Sequence, residues 1–330
     1  MAVKRSPHSY GHLLLYLYLI RTYLKFLTVG KCVDSPLLLQ IQTQSFCNGR
    51  CSICPYRIVS KKLDQGAMDW DLFAKIASEL ASESVLSTIV FELHNEPLLD
   101  RRVFDWVKYV KSISPNKHCS IVTNGELLDN FSSTDIRQSN VDTLVISLNA
   151  HSKEMYESLN NGLNYDRVMR NVSRLLSDQS LRQKVTLSFV LTEQNVDEVY
   201  QATRYWKGQG VRTRVMGVAN RAGSLDNYEG IRLKTEYYGS PLPLRVWRHL
   251  MASARGVIGC HLPLYQMNIL FNGDAIICCH DWNRASVVGN IGTSSLREVW
   301  NSDRMNEIRR LLLRKRYEEI NSCQECSLVK

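Results

Sequence analysis

Hydrophobic and polar positions along this chain alternate between a period of two and a period near 3.6. Residues 37–43 (LLLQIQT) read as a first strand. Asp69 then precedes Phe73, Ile76, Ala77 and Leu80 at i, i+3, i+4 and i+7, the stripe of a helix packed on one side. Residues 87–92 (STIVFE) give a second strand, and Val103, Trp106, Val107 and Val110 mark one face of the next helix. Third and fourth strands are expected at 120–123 and 143–148. Val185, Leu187, Phe189 and Leu191 alternate as a fifth, and 211–217 forms a sixth. Between the last two, Asn195 with Glu198 predicts a capping box at a helix start. Strand–helix units in this number predict an α/β fold of parallel strands with right-handed crossovers, either an open sheet or a partial barrel. In both, ligands sit beyond the C-terminal ends of the strands.

Four stretches follow from the pattern: an N-terminal helix within 1–35, an α/β core over 36–225, a Gly- and Pro-containing bridge at 226–258, and a smaller module at 259–330. The first helix, read at 9–29, carries Leu and Tyr on nearly every side. Residues 1–33 hold five basic side chains and no acidic one. Arg21 and Lys25 interrupt any apolar run long enough to span a bilayer, and no small-residue cleavage site follows. The helix is expected to pack on the rest of the protein, with a membrane-surface anchor as the alternative.

Composition adds two points. Lys and Arg exceed Asp and Glu by 41 − 32 = +9, which permits anionic partners without requiring one. The 10 cysteines are too few for a disulfide scaffold in 330 residues, so their clustering is what informs. With no export signal, a reducing cytosolic setting is expected, where grouped cysteines bind metal.

Cys47, Cys51 and Cys54 fall in QSFCNGRCSICPY, spaced C-x3-C-x2-C just after the first strand. Three thiolates in one loop suit an iron–sulfur cluster with one iron left open better than a four-ligand structural zinc. Cys260, Cys278, Cys323 and Cys326 form a second set, C-x12-G-x4-C and then C-x2-C. Four thiolates close either a zinc or a whole 4Fe–4S cluster, and spacing alone does not choose. Cys32 and Cys119 read as core residues, and Cys279 adjoins a predicted ligand.

The first loop resembles the cluster loop of radical S-adenosylmethionine (SAM) enzymes, and the resemblance continues along most of the chain. It implies a partial (β/α)6 barrel with a small C-terminal α+β twitch/SPASM module. It also implies three cofactors: a SAM-binding 4Fe–4S cluster, SAM itself, and an auxiliary 4Fe–4S cluster on the second cysteine set. Ile53 lies where the family has a hydrophobic residue beside the adenine. His94-Asn95-Glu96-Pro97 stands in place of the family's Gly-Gly-Glu-type motif, with Glu96 the acceptor for the SAM ammonium. Asn124 of Thr123-Asn124-Gly125 also fits the pattern. Ser147 and Asn149 are expected at the ribose, and Val190 and Gly217 at the methionyl and adenine groups. Gly289-Asn290-Ile291 and the run 295–300 (SLREVW) resemble the auxiliary module.

The same resemblance implies a radical SAM oxidoreductase that oxidises a small polyhydroxylated or amino-sugar-like substrate, with the auxiliary cluster as electron acceptor. Arg221 is the expected substrate contact, since Asn220-Arg221-Ala222-Gly223 resembles a segment of the family's cyclitol dehydrogenases. His280 and Asp281 are the expected proton acceptors. A flavodoxin- or ferredoxin-type donor is the expected partner, and nucleic acid is not expected. Alternatives are a peptide-modifying maturase, an epimerase or reductive enzyme using Cys279, and a tRNA-modifying enzyme. The basic C-terminal helix carrying Arg304, Arg309, Arg310, Arg314, Lys315 and Arg316 is expected to be a solvated face opposite Met305, Ile308, Leu311 and Leu312.

Overall fold

The computed structural model describes the backbone of residues 7–32, 34–233 and 259–329, and side chains from Leu17 onward. Of the bridge expected at 226–258, residues 234–258 lie outside the described residues.

Among the described residues nine strands make one sheet: β1 (Leu38–Ile41), β2 (Thr88–Phe91), β3 (His118–Thr123), β4 (Thr143–Ser147), β5 (Val185–Leu191), β6 (Arg212–Gly217), β7 (Gln266–Ile269), β8 (Asp274–Ile276) and β9 (Val287–Asn290). Their spatial order is β6-β5-β4-β3-β2-β1-β7-β8-β9. The first six strands lie side by side in chain order and all pair in parallel. Sequential order with crossovers of one hand puts the helices on one face and curls the sheet into a partial barrel. The small module continues the same sheet: β7 pairs in parallel with β1, and β8 and β9 follow antiparallel.

Alternation along the strands sorts side chains between two faces. Leu39, Ile41, Ile89, Phe91, Ile121, Leu144, Ile146, Val185, Leu187 and Phe189 join the main core beneath the helices. Within that core, the helix Trp70–Ser82 buries Phe73, Ile76, Ala77 and Leu80, with Asp69 capping it by accepting from the Leu72 amide. The helix Val103–Ile113 buries Val103, Trp106, Val107 and Val110. Each large side chain buried here contributes roughly 1.5–3 kcal/mol by area.

Two expectations are corrected. The helix Val196–Gly208 does start after Asn195, yet no capping box forms. The Asn195 amide instead accepts from Thr192 and donates to the carbonyls of Asn149 and Val190, while Glu198 accepts from His151 and Ser152. Arg309 is not part of a solvated face. It is fully buried in the helix Asp303–Leu313 and lies 4.0 Å over the Trp300 ring. It also donates to the carbonyls of Pro263 and Trp300 and to Asn306. That network carries a guanidinium whose charge burial alone disfavours. The N-terminal helix Pro7–Val29 packs through Leu19 and Phe26 against Cys32, Leu264 and Leu313.

Candidate active site

The other face of the strands mixes valines with polar and charged side chains. Gln40, Glu92, Ser147, Ser188, Arg214, Gln266 and Asn268 share the parity opposite to the core residues. Hydrogen bonds confirm the shared face: Arg214 Nε donates to Ser188 Oγ at 2.9 Å, and Gln266 Nε2 donates to Asn268 Oδ1 at 2.6 Å and also to Gln40. A face lined this way presents hydrogen-bonding groups, unlike the apolar, filled interior of a closed eight-stranded barrel.

Cys47, Cys51 and Cys54 sit in a loop over the C-terminal end of β1. The Cys47 amide donates to Tyr56 Oη at 2.9 Å, the Cys54 amide to the Cys51 carbonyl at 3.1 Å, and the Gly49 amide to Cys47 Sγ at 3.4 Å. Asn48 ties this loop to the Thr123-Asn124-Gly125 turn, accepting from Asn124 Nδ2 at 2.8 Å and donating to Glu126 at 2.7 Å. Burial pushes the Cys47 thiol up to about 12 and raises Cys51 and Cys54 as well, with neighbouring anions adding to the effect at Cys47 and Cys51. Buried thiols that disfavour the anion when alone suit a positively charged partner. Cys260, Cys278, Cys323 and Cys326 are all buried. Cys278 and Cys323 each feel the charge of Cys260, and Cys323 that of Cys326. Among the described residues no three His, Cys, Asp or Glu side chains converge as on a single ion. The all-thiolate donor sets, three in one loop and four in the second module, are the chemistry that holds iron–sulfur clusters.

Glu96 is the hinge of the SAM-side expectations. Its carboxylate accepts from Thr123 Oγ1 at 2.5 Å, the Asn124 amide at 2.8 Å and the Leu98 amide at 3.1 Å. Burial nevertheless holds it up at about 7. The two motifs are thus one hydrogen-bonded unit. His94 replaces a glycine but keeps glycine's conformation, with φ at +59°. Its ring stacks on Trp282 at 4.1 Å, and Nε2 meets the Cys279 carbonyl at 2.8 Å. The departure from Gly-Gly therefore couples β2 to the second module.

Ile53 and Val190 come together with Leu159, Leu225 and Ile231 in an apolar shelf beside Cys51. Ser147 lies on the lumen face in register with Ser188. Asn149, also left-handed at φ +61°, has both amide ends engaged, by Asn160 at 2.9 Å and the Val190 amide at 3.0 Å. Gly217 ends β6, and a Cβ there meets nothing within 4 Å. Arg221, Ala222 and Gly223 are three successive left-handed residues. Arg221 does not pair with Asp226, which binds Arg57 instead. Its charge reaches Cys54, Glu92, Cys279, His94 and His280. His280 is buried with no partner on Nδ1 among the described residues, and burial lowers it to about 3. Asp281 caps its own turn, accepting from the Ala285 and Ser286 amides, each at 2.9 Å.

Sequence reasoning missed Glu92 and Arg214. Glu92 is enclosed by protein yet keeps part of its surface open to the lumen, and both guanidiniums pull against the burial that raises its carboxyl. Strand parity was the available signal: a charge at every second position of a buried parallel strand faces a ligand or a partner.

A family model described as the radical SAM superfamily matches residues 41–205, and one described as an iron–sulfur cluster-binding domain (SPASM) matches 260–327. The chain belongs to the radical SAM superfamily. It is a radical SAM enzyme with a C-terminal SPASM module, and 4Fe–4S clusters and SAM are its cofactors. It is similar to the S-adenosyl-L-methionine-dependent 2-deoxy-scyllo-inosamine dehydrogenase of Niallia circulans, 21% identical over 292 residues, covering 88% of this chain and 93% of that one. In fold it is similar to BtrN in complex with AdoMet and 2-DOIA, with a TM-score of 0.60 and 19% identity over 88% of this chain and 92% of that one. It is also similar to Streptococcus suis SuiB bound to the precursor peptide SuiA, with a TM-score of 0.64 and 17% identity over 97% of this chain and 75% of SuiB. No described helix is long and apolar enough to cross a membrane.

Proposed function

We propose that this radical SAM enzyme is an oxidoreductase of the cytosol that dehydrogenates an alcohol of a small polyhydroxylated or amino-sugar-like molecule. The supporting observation is the group of polar side chains on the lumen face, where Glu92 and Arg214 face each other's field without forming an ion pair among those described. A carboxylate and a guanidinium held apart offer acceptors and donors to several hydroxyls at once. Cys47, Cys51 and Cys54 would hold the SAM-binding cluster, and Cys260, Cys278, Cys323 and Cys326 the auxiliary one. When bound, the cofactors supply abstraction of one hydrogen atom from a carbinol carbon and accept the second electron.

The chain's own residues do the rest. Ile53 and Val190 give the adenine an apolar shelf. Glu96, held by Thr123, accepts from the SAM ammonium, and Asn124 braces the cluster loop through Asn48. Ser147 reaches the ribose, while Asn149 and Gly217 shape the strand ends around it. Arg214 and Arg221 orient substrate oxygens. With Asp281 committed to its turn, Glu92 is the better-placed acceptor for the hydroxyl proton, with His280 second. A flavodoxin- or ferredoxin-type protein supplies the priming electron.

The test is anaerobic reconstitution followed by dithionite, SAM and 2-deoxy-scyllo-inosamine or related polyols. Ketone formed in proportion to 5′-deoxyadenosine supports the reading. Release of 5′-deoxyadenosine with no oxidised product from any polyol, but with modification of a peptide, rejects it. Epimerisation is a second reading, because the Cys279 thiol opens on the same lumen, takes a hydrogen bond with Gln266 and lies within reach of the charges of Arg221 and Glu92. Solvent deuterium in recovered substrate would favour it.

A further inference from the structure

The lumen face carries more fixed cation than anion. Arg214 on β6 pairs in register with Ser188 on β5, and its Nε donates to Ser188 Oγ at 2.9 Å. Arg221 opens the left-handed turn that follows β6. Neither guanidinium enters an ion pair among the described residues. The charge of both reaches one carboxyl, that of Glu92 just past β2. In the sheet β2 and β6 are separated by β3, β4 and β5, so it is the curl of the barrel that gathers these three groups around one volume.

The neighbouring titratable groups do not restore the balance. Asp226, the nearest acid in the chain to Arg221, is taken by Arg57. Glu96 is engaged by Thr123, Asn124 and Leu98, and Asp281 by the Ala285 and Ser286 amides. Burial lowers the His94 and His280 imidazoles to about 3, so neither is charged near neutral pH. SAM brings a sulfonium and an ammonium against one carboxylate and so adds positive charge. A guanidinium keeps its charge throughout the working range of a protein, and enclosing it is costly unless an anion offsets it. Glu92 can answer one of the two. A neutral polyol would leave the other without a counter-charge, and an amine would add a third cation. The planar fork of a guanidinium matches the paired oxygens of a phosphate or carboxylate.

We propose that the substrate is an acidic polyol, whose phosphate or carboxylate is bound by Arg214 and Arg221 while Glu92 faces the hydroxyl to be oxidised. This rests on the reading of the lumen as the site of alcohol dehydrogenation, and it selects the acidic over the amino-sugar members of that substrate class.

The test is titration calorimetry of the unreduced holoenzyme with SAM bound, using glucose, glucose 6-phosphate, glucuronate and 2-deoxy-scyllo-inosamine as probes. At least one acidic probe should bind roughly tenfold or more tighter than glucose, and the amine more weakly than either acid. Glucose 6-phosphate ahead of glucuronate identifies a phosphate site, and the reverse order a carboxylate site. Arg214→Gln and Arg221→Gln should each remove most of the preference while iron stays at about eight per chain. Should a variant lose iron, competition on the wild-type protein decides: inorganic phosphate should displace the acidic probe where chloride at equal ionic strength does not. The proposal is overturned if neither acidic probe is preferred over glucose, or if phosphate displaces no better than chloride. It is also overturned if iron-replete arginine variants keep the preference, or if Arg221→Gln shifts only the cluster potentials and leaves acid binding unchanged. Ketone from neutral polyols alone would overturn it and leave the dehydrogenase reading standing. Arginine-dependent binding of an acidic probe, with no ketone from any polyol, would do the reverse.

Discussion

Asn220 and Ser327 exchange two hydrogen bonds: the Asn220 amide donates to Ser327 Oγ at 3.1 Å, and the Ser327 amide donates to Asn220 Oδ1 at 2.8 Å. Asn220 Nδ2 also donates to the Glu325 carbonyl. The turn that carries Arg221 is thereby clasped to the segment holding Cys323 and Cys326. Gly223 completes the clasp, because at φ +81° an added Cβ would lie 2.8 Å from Glu325 Cβ.

Breaking the clasp should release the second cysteine set first. Asn220→Ala removes side-chain bonds worth about 0.5–1.5 kcal/mol each. Gly223→Ala adds strain and a steric conflict. Iron should fall from about eight per chain toward about four, the count for one cube instead of two. Substrate-free SAM cleavage should persist. Iron analysis beside an assay for 5′-deoxyadenosine checks this.

The two cysteine sets should separate by activity. Cys54→Ala should abolish SAM cleavage. Cys323→Ala should preserve it and lose ketone formation, at least a hundredfold if the second electron has no other acceptor.

SAM affinity should rise with pH through about 7, where Glu96 titrates. Burial raises this carboxyl above its unfolded value, so its anion, the form that accepts from an ammonium, accumulates only as pH climbs. Without SAM the sign reverses for stability. The folded state holds the proton more tightly than the unfolded chain, so the group's contribution is lost between about 4.5 and about 7 as pH rises. Glu96→Gln should flatten both profiles in titration calorimetry and thermal melts.

Glu92→Gln should leave iron content and substrate-free SAM cleavage intact and slow ketone formation by roughly 10²–10⁴, the usual range for loss of a general base. Arg214→Ala should act mainly on KM. Cys279→Ala should not slow dehydrogenation, whereas an epimerase would lose turnover, which product analysis distinguishes.

Most of the barrel was legible because its signals are local. Asp69 capping, the Phe73–Leu80 stripe and the Val185–Leu191 alternation each act within a few residues. The capping box at Asn195 was misread because Asn149 and Thr192, distant or differently turned, compete for the same amide. Arg309 was misread because a helical wheel does not reveal that Trp300 and Pro263 supply a cage. Cysteine spacing exposed both cysteine sets. Glu92 and Arg214 escaped because only the sheet, in register, brings β2 and β6 around one lumen.

Strand β1 has both edges occupied, by β2 on one side and β7 on the other. Strand β1 therefore waits for β7, far later in the chain, before its hydrogen bonding is complete. Until then it presents an open edge of the kind that templates aggregation. Synthesis of residues 1–225 alone should give insoluble product, and emergence of β7, not emergence of the barrel strands alone, should mark when the nascent chain becomes protease-resistant.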